Sequence, residues 1–172
     1  MNIRADIPAP IDPQAFRKAL GCFPTGVAIV TTLDATAQPV GLTISSFNSV
    51  SMDPPLILWS LALNAGSLEA FRARGSFAIN VLAADQQDLA MTFARPVDDR
   101  FAGVAWHRGR KGVPLLDGTA ARFECETHAC LPGGDHEIFL GHVRAHDHTE
   151  RAPLVYGKGR FLEMSGESRE SD

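Results

Sequence analysis

The segment "LPGGDHEIFLGHV", residues 131–143, joins a glycine-containing turn to an apolar run with the composition of a strand. The turn ends in three consecutive ionisable residues, Asp135, His136 and Glu137. Because alternate strand residues face opposite sides, Glu137 is expected on the face opposite to His136 and Ile138. A histidine at the entrance of a strand either bonds to the turn's own backbone or faces a ligand, and this segment leaves both open.

Strand-like segments also dominate the chain on both sides of this stretch. They are β-branched or apolar runs, or they alternate in polarity: "VAIVTTL" (27–33), "PLILWSL" (55–61), "SFAINVL" (76–82), "ARFECET" (121–127), "HEIFLGHVRAH" (136–146) and "LVYGKGRFLEM" (154–164). Predicted helices lie singly between them, without the regular βαβ alternation of a Rossmann fold. A closed antiparallel barrel with a few attached helices is the simplest way to bury these strands and remove their edges.

Three short helices are predicted from their end signals. The first, "DPQAFRKALGCF" (12–23), has Asp12 as cap, proline next and Gly21 as stop, with apolar residues on one face. The second, "SLEAFRARG" (67–75), begins at Ser67 and ends at Gly75. The third, "DQQDLAMTFA" (85–94), has Asp85 as its expected cap.

Length and composition indicate a single soluble domain. The chain has 172 residues, of which 45% are hydrophobic and 21% charged. We expect a mobile arm over 1–10, one domain over 11–164 and a disordered polar tail over 165–172. The net charge of -4, with no basic patch, argues against nucleic acid.

The expected location is the cytoplasm. The sequence has no apolar run long enough to cross a membrane and no apolar core of a signal peptide near its first residue. Its three cysteines, Cys22, Cys125 and Cys130, lack paired spacing and indicate free thiols.

Motifs of several catalytic classes are missing from the sequence. No set of histidines and cysteines has zinc-finger spacing, so no metal is expected. Neither a GxSxG nucleophile elbow nor a Walker or dinucleotide-binding glycine motif is present.

A concentration of small hydroxyl and amide side chains is the clearest remaining signal. The stretch "GLTISSFNSVSMDPPLILWS" (41–60) carries six within nine positions, namely Thr43, Ser45, Ser46, Asn48, Ser49 and Ser51. Such residues either bond to their own backbone in turns or offer neutral hydrogen bonds to a polar, planar ligand and its phosphate. Farther along, "NAGSLEAF" (64–71) places Asn64 and Ser67 at a helix start, where an ordinary N-cap and an anion site are both possible readings.

Taken together, six motifs in order resemble the flavin reductase-like domain family, the NAD(P)H:flavin oxidoreductases that supply two-component monooxygenases. They are "PTGVAIVTT", "GLTISSFNSVSMDPPL", "FAINVL", "FARPVDDRFAGVAW", "GDHEIFLGHV" and "PLVYGKGRF", and they cover about residues 12–163. The resemblance implies a mainly β fold, a split β-barrel with a Greek-key core and a few short helices. It also implies a homodimer, FMN or FAD in a groove near the dimer interface, and a flavin-dependent monooxygenase that receives the reduced flavin.

The resemblance also assigns roles to individual residues. It places at the flavin Thr25, Gly26, Val27, Thr43, Ile44, Ser45, Ser46, Ser60, Leu61, Asn64, Ser67 and Asn80, with a strand-satisfying role for Asn80 as the alternative. It places Gly134, Asp135 and His136 at the nicotinamide nucleotide, with His136 as the catalytic residue. Tyr156 either packs near the site or belongs to the core.

The implied reaction needs no acid–base pair of the protein's own, because a hydride passes directly from the nicotinamide of NADH or NADPH to the flavin. The protein has to stack the two rings and order the donor. Two alternatives stay open: a flavin-binding electron carrier or sensor without nicotinamide turnover, and a barrel with a purely structural or binding role.

Overall fold

The computed structural model describes residues 10–97 and 99–164, which form a mainly β fold with short flanking helices. The helices within these residues are α1 (Pro13–Leu20), α2 (Leu68–Arg74) and α3 (Gln87–Ala94), with a 3₁₀ turn at Arg110–Gly112. The strands are β1 (Thr25–Gly26), β2 (Ala28–Leu33), β3 (Pro39–Ile44), β4 (Asn48–Met52), β5 (Pro55–Ala62), β6 (Ser76–Val81), β7 (Trp106–Arg108), β8 (Pro114–Leu116), β9 (Ala121–Gly133), β10 (His136–His148), β11 (Val155–Gly157) and β12 (Arg160–Leu162).

Seven of these strands form one antiparallel sheet in the order β3-β2-β6-β9-β10-β5-β4. Its edge strands, β3 and β4, follow each other in the chain, yet no pairing joins them in the described residues. The expectation of a closed barrel is therefore wrong in this respect. The sheet is open at this seam between β3 and β4, and the mainly β architecture agrees with the split β-barrel that the resemblance implies.

Two smaller sheets complete the fold, one of order β1-β11-β12 and one of β7 with β8. The segment "LVYGKGRFLEM", expected as one strand, is the β11–β12 hairpin. Its turn runs through Lys158 and Gly159, which adopt φ values of 51° and 78°. Successive left-handed residues match the twist of a tight hairpin, and this breaks the segment into two strands.

The hydroxyl-rich stretch also differs from the expectation, because most of it is strand. Thr43 belongs to β3, and Asn48, Ser49 and Ser51 belong to β4, which pairs with β5. Only residues 45–47 form the connection between the two edge strands. The small polar residues therefore lie along the seam of the barrel.

Helix ends follow the sequence signals in two of the three helices. The Asp12 carboxylate accepts from the amides of Gln14 and Ala15 at the start of α1, and Gly75 follows α2 with a φ of 64°. The N-cap position of α3 is Gln86 and not Asp85; the Gln86 side chain makes no capping bond to the helix and instead accepts from the Ala83 amide at 2.9 Å. The Asp85 carboxylate instead pairs with Arg151.

The main core is an aromatic cluster between the sheet and α2. Trp59 of β5 stacks on Phe139 of β10 with ring centroids 4.6 Å apart, and Phe71 and Phe77 pack edge-on against the Trp59 ring. All four side chains are at most 1% exposed. Burial of this much aromatic surface fixes α2 against β5 and β10, the elements that carry the candidate site.

Helix α1 buries none of its side chains in the described part of the chain. Phe16 and Leu20, expected on one apolar face, are 52% and 59% exposed. Residues 1–9 of the expected arm and the whole tail, 165–172, lie outside the described residues. None of the described helices combines the length and apolar character that a membrane-spanning helix needs.

Candidate functional site

A groove of about 310 Å³ opens beside the edge strand β3. Its walls are mostly apolar but include hydroxyl-bearing residues, and they consist of Val27, Thr43, Ile44, Ser45, Ala90, Met91, Ala94, Tyr156 and Phe161. This volume lies at the lower end of the roughly 300–1,000 Å³ typical of small-molecule pockets. Four of the residues that the resemblance assigned to the flavin thus share one concave surface.

Neighbouring elements hold this groove in shape. Thr25 pairs with Tyr156 across β1 and β11, so the start of the "TGV" motif lies next to the aromatic wall. The Thr43 hydroxyl donates to the carbonyl of Ala90 in α3 at 2.7 Å. That bond uses the only hydroxyl proton of Thr43 and leaves its oxygen lone pairs to accept from a ligand.

The rest of the hydroxyl segment connects to β5. The Ser46 hydroxyl bonds to the backbone of Ser60, which in turn lies opposite Ile138 of β10. Two residues further along β5, Ala62 pairs with His136. Strand β5 is therefore the element that joins the groove side to the entrance of β10.

Asn64 and Ser67 lie between β5 and α2, with Asn64 exposed and Ser67 partly so. The Ser67 side chain makes no capping hydrogen bond to its helix, so the ordinary N-cap interpretation is not met. Leu61 is 3% exposed, and its side chain belongs to the aromatic core. Only the backbone of Leu61 remains as a candidate ligand contact.

Asn80 lies inside the sheet and away from the groove lining, with no exposed surface. Its amide nitrogen donates to the Ile29 carbonyl at 3.0 Å and to the Thr31 hydroxyl at 3.1 Å. Its amide oxygen accepts from the Leu116 amide at 2.9 Å. These hydrogen bonds join three segments of the fold through the Asn80 side chain. Its position therefore agrees with the alternative role of satisfying backbone groups of the strands, and we leave Asn80 out of the candidate site.

At the turn before β10, the ring of His136 contacts the side chain of Asp135. The Nδ1 atom of His136 lies 2.7 Å from a carboxylate oxygen of Asp135. This hydrogen bond with His136 lowers the pKa of Asp135. Gly134 has a φ of 74°, which favours glycine at this turn position. In this arrangement Nδ1 is engaged by the protein and Nε2 is the atom available to a ligand.

Glu137 was expected on the face opposite to His136 and outside the site; it is buried, whereas the His136 side chain is 44% exposed. Both residues nevertheless line a second pocket of about 310 Å³, together with Leu63, Arg72, Cys130, Leu131, Pro132 and Gly134. In this pocket Glu137 is bonded to Arg72 of α2. Arg72 could not be recognised as a site residue from the sequence, because nothing in local spacing links it to a residue 65 positions away.

The groove suits a planar, mostly apolar ring with polar groups along one margin. Met91, Tyr156 and Phe161 provide apolar side-chain surface beside the nearly buried Val27 and Ile44, while Thr43 and Ser45 provide hydroxyls. Such a combination fits an isoalloxazine, whose edge carries hydrogen-bonding atoms. Within the described ranges, no three metal-ligating side chains converge on one point.

Comparison with known proteins agrees with this geometry. Residues 20–165 match the family model of the flavin reductase like domain. The chain is 42% identical over 164 residues to FMN reductase (NADH) SmoA of Agrobacterium fabrum, covering 95% of the chain and 93% of that protein. It is 41% identical over 149 residues to the reductase component of flavin-dependent trigonelline monooxygenase of Acinetobacter baylyi, covering 87% of the chain and 48% of that protein.

A solved structure with the same fold carries both ligand types. The NADH:FAD oxidoreductase SgcE6 of Streptomyces globisporus, in complex with NAD and FAD fragments, superimposes with a TM-score of 0.86 at 36% identity. The match covers 94% of this chain and 99% of that one. By contrast, the chain spans about half the length of some curated relatives, 49% and 48% of two of them.

Proposed function

Because the chain belongs to the flavin reductase-like domain family, we propose that it is an NAD(P)H-dependent flavin reductase. In this function NAD(P)H is the hydride donor and FMN or FAD the acceptor, the reaction type of NAD(P)H:flavin oxidoreductases. The groove beside β3 carries the proposal, because its mostly apolar walls and the hydroxyls of Thr43 and Ser45 fit a flavin ring. The bound flavin and nicotinamide supply the hydride chemistry.

The flavin lies, in this proposal, between the barrel seam and the β5–α2 connection. Val27, Thr43, Ile44 and Ser45 contact the ring and its edge, with Thr25 and Gly26 beside them. Ser46 and Ser60 hold the adjoining backbone, and the backbone of Leu61 continues toward the phosphate. Asn64 and the uncapped Ser67 offer polar groups at that end.

The nicotinamide nucleotide lies at the turn that precedes β10. Asp135 holds the His136 ring at Nδ1, so that Nε2 meets a polar group of the dinucleotide, and Gly134 gives the turn its shape. Fixing this side chain before the donor arrives lowers the entropy cost of aligning the two rings. His136 thus acts in positioning and needs no proton transfer of its own.

The proposed partners follow from the relatives and from exposed surface. The trigonelline relative is the reductase component of a monooxygenase, and we assign this chain the same task of supplying reduced flavin to an oxygenase. A homodimer is supported by the exposed Phe16 and Leu20 of α1 and by a groove too small to enclose a whole flavin nucleotide.

Free thiols at Cys22, Cys125 and Cys130 agree with a reducing cytoplasm.

Flavin-dependent oxidation of NADH tests the proposal directly. Purified protein, stripped of flavin, is mixed with NADH or NADPH and followed by nicotinamide absorbance with FMN, FAD, riboflavin or no flavin. We expect turnover only when a flavin is present. Flavin binding without nicotinamide oxidation would point to an electron carrier or sensor, and neither binding nor turnover to a structural barrel.

A further inference from the structure

We propose that Arg72 and Glu137 are positioning residues for His136, forming a bridge that sets the entrance of β10 against α2. The inference rests on the proposed function, since it takes His136 as the residue that meets the nicotinamide nucleotide. Arg72 lies on α2 and Glu137 directly follows His136 in β10. All three residues line the same pocket.

The bridge is an ion pair at a nearly buried carboxylate. The Glu137 side chain is 10% exposed and that of Arg72 is 41% exposed. Arg72 donates to one oxygen of Glu137 through Nε at 2.9 Å and also through a terminal nitrogen. A carboxylate with so little access to water depends on such a partner, and removing the partner leaves an unpaired charge.

The bridge can position His136 because it holds the backbone next to that residue. The backbone next to His136 is held on one side by the Leu63 amide, which donates to the Asp135 carbonyl at 3.0 Å. On the other side it is held by Glu137 through Arg72. Helix α2, which carries Arg72, begins just after Ser67, so this short helix runs from the proposed flavin-phosphate end to the bridge.

Direct binding of a ligand phosphate is a weaker interpretation of Arg72. Its guanidinium already forms ion pairs with two carboxylates, that of Glu137 and, at 2.7 Å, that of Glu69. The hydrogen bond with Glu137, followed by that with Glu69, raises the pKa of Arg72 above its ordinary value. With two anions beside it, the guanidinium offers little net positive charge to a third.

Steady-state and stopped-flow kinetics of Arg72→Gln, Glu137→Gln and the double variant test the proposal. We expect each single variant to lose roughly 10- to 100-fold in kcat/KM for NADH, because small displacements of a positioning group are costly. Flavin affinity, measured by titration, should stay at the wild-type value. The double variant should be no worse than the single variants, since one bridge is lost in each case.

A matched control lies on the same hairpin. Arg122 of β9 also forms an arginine–carboxylate pair, with the more exposed Asp147 of β10, far along the strands from the turn at His136. We expect Arg122→Gln to lower stability without changing kcat/KM for NADH. If Arg72→Gln and Arg122→Gln have equal effects on NADH kinetics, the proposal is overturned. Arg72→Lys keeps the charge and should recover part of the activity if Arg72→Gln folds poorly.

Two further outcomes separate competing causes. If Arg72 bound a phosphate directly, Glu137→Gln would strengthen NADH binding while Arg72→Gln weakened it, and the positioning role would be wrong. If His136→Ala leaves NADH kinetics unchanged, the nicotinamide assignment fails and the bridge proposal fails with it. If His136→Ala impairs NADH use and Arg72→Gln does not, only the bridge proposal fails.

Discussion

The Ser46 hydroxyl makes two hydrogen bonds to the backbone of Ser60: it donates to the Ser60 carbonyl at 3.3 Å and accepts from the Ser60 amide at 3.0 Å. Ser46 lies in the connection between the edge strands β3 and β4, whereas Ser60 lies in β5. One small side chain therefore ties the seam of the barrel to the strand that leads to the β10 entrance.

Replacing Ser46 with alanine should weaken both the fold and flavin binding. The change leaves the Ser60 amide without its partner, which costs about 1 kcal/mol in the free energy of unfolding. We expect a measurable rise in the flavin dissociation constant, because the connection that carries Ser45 loses its anchor. Urea unfolding and flavin titration measure the two effects. Ser49→Ala, on the exposed edge strand, is the control, and equal behaviour of both variants would contradict the prediction.

His136→Ala should impair the use of NADH while leaving flavin affinity nearly unchanged. Loss of one hydrogen bond to a polar or charged ligand group costs about 1.5–3 kcal/mol, or roughly 10- to 150-fold in kcat/KM. Stopped-flow reduction at limiting and saturating NADH, with flavin titration on the same variant, measures both quantities. A lower thermal stability with normal kinetics would make His136 a turn residue only, and a parallel loss of flavin binding would place it at the flavin.

Lowering the pH should remove the contribution of the Glu137 carboxylate to the free energy of unfolding. Its pKa lies below the ordinary 4.5, chiefly because Arg72 donates hydrogen bonds to the carboxylate. A group whose folded-state pKa is depressed stabilises the fold fully above its unfolded-state pKa, and that stabilisation is lost as pH falls through the folded-state pKa.

The measurement is urea unfolding of wild type and Glu137→Gln across a pH series. The difference in their free energies of unfolding should be constant near neutral pH and shrink as pH falls below about 4.5. Glu150→Gln removes an exposed carboxylate after β10 and serves as the control. A wild-type advantage that persists unchanged into strong acid would show that the Glu137 charge does not stabilise the fold.

Light scattering at micromolar concentration should give about twice the monomer mass of 18.5 kDa. The apolar face of α1, with Phe16 and Leu20 more than half exposed, favours association because covering it removes apolar surface from water. Phe16→Glu should shift the measured mass toward the monomer if this face is part of the interface. A monomer mass for the wild-type chain would count against the homodimer.

Much of the strand content could be predicted from the sequence, because β-branched and apolar runs such as residues 28–33 leave few alternatives to a buried strand. The edge strands β3 and β4 escaped recognition for a physical reason. Thr43, Ser49 and Ser51 are residues that equally well form turns, and an edge strand does not need a continuous apolar pattern. The pairing partner, and not the local composition, makes them strands.

The candidate site was predictable only in part. Motif order located the hydroxyls of β3 and the turn at His136, and the structure brings Val27, Thr43, Ile44 and Ser45 into one groove. Motif order also assigned Asn80 to the flavin, but its side chain bonds within the fold. A polar residue in a strand can satisfy backbone groups as well as bind a ligand, and the sequence does not distinguish the two. The Arg72–Glu137 pair depends on how α2 packs against β10, which no short motif encodes.

The seam between β3 and β4 has a consequence for ligand tolerance. The wall that carries Thr43 and Ile44 pairs with β2 and bonds to α3 through the Thr43 hydroxyl, and in the described residues no ladder joins it to β4. A small outward shift of this wall has no ladder to β4 to break, so we expect the groove to tolerate rings of slightly different width and tilt. Discrimination among riboflavin, FMN and FAD is therefore expected at the opposite end, near Asn64 and Ser67, where the flavins differ in length and charge.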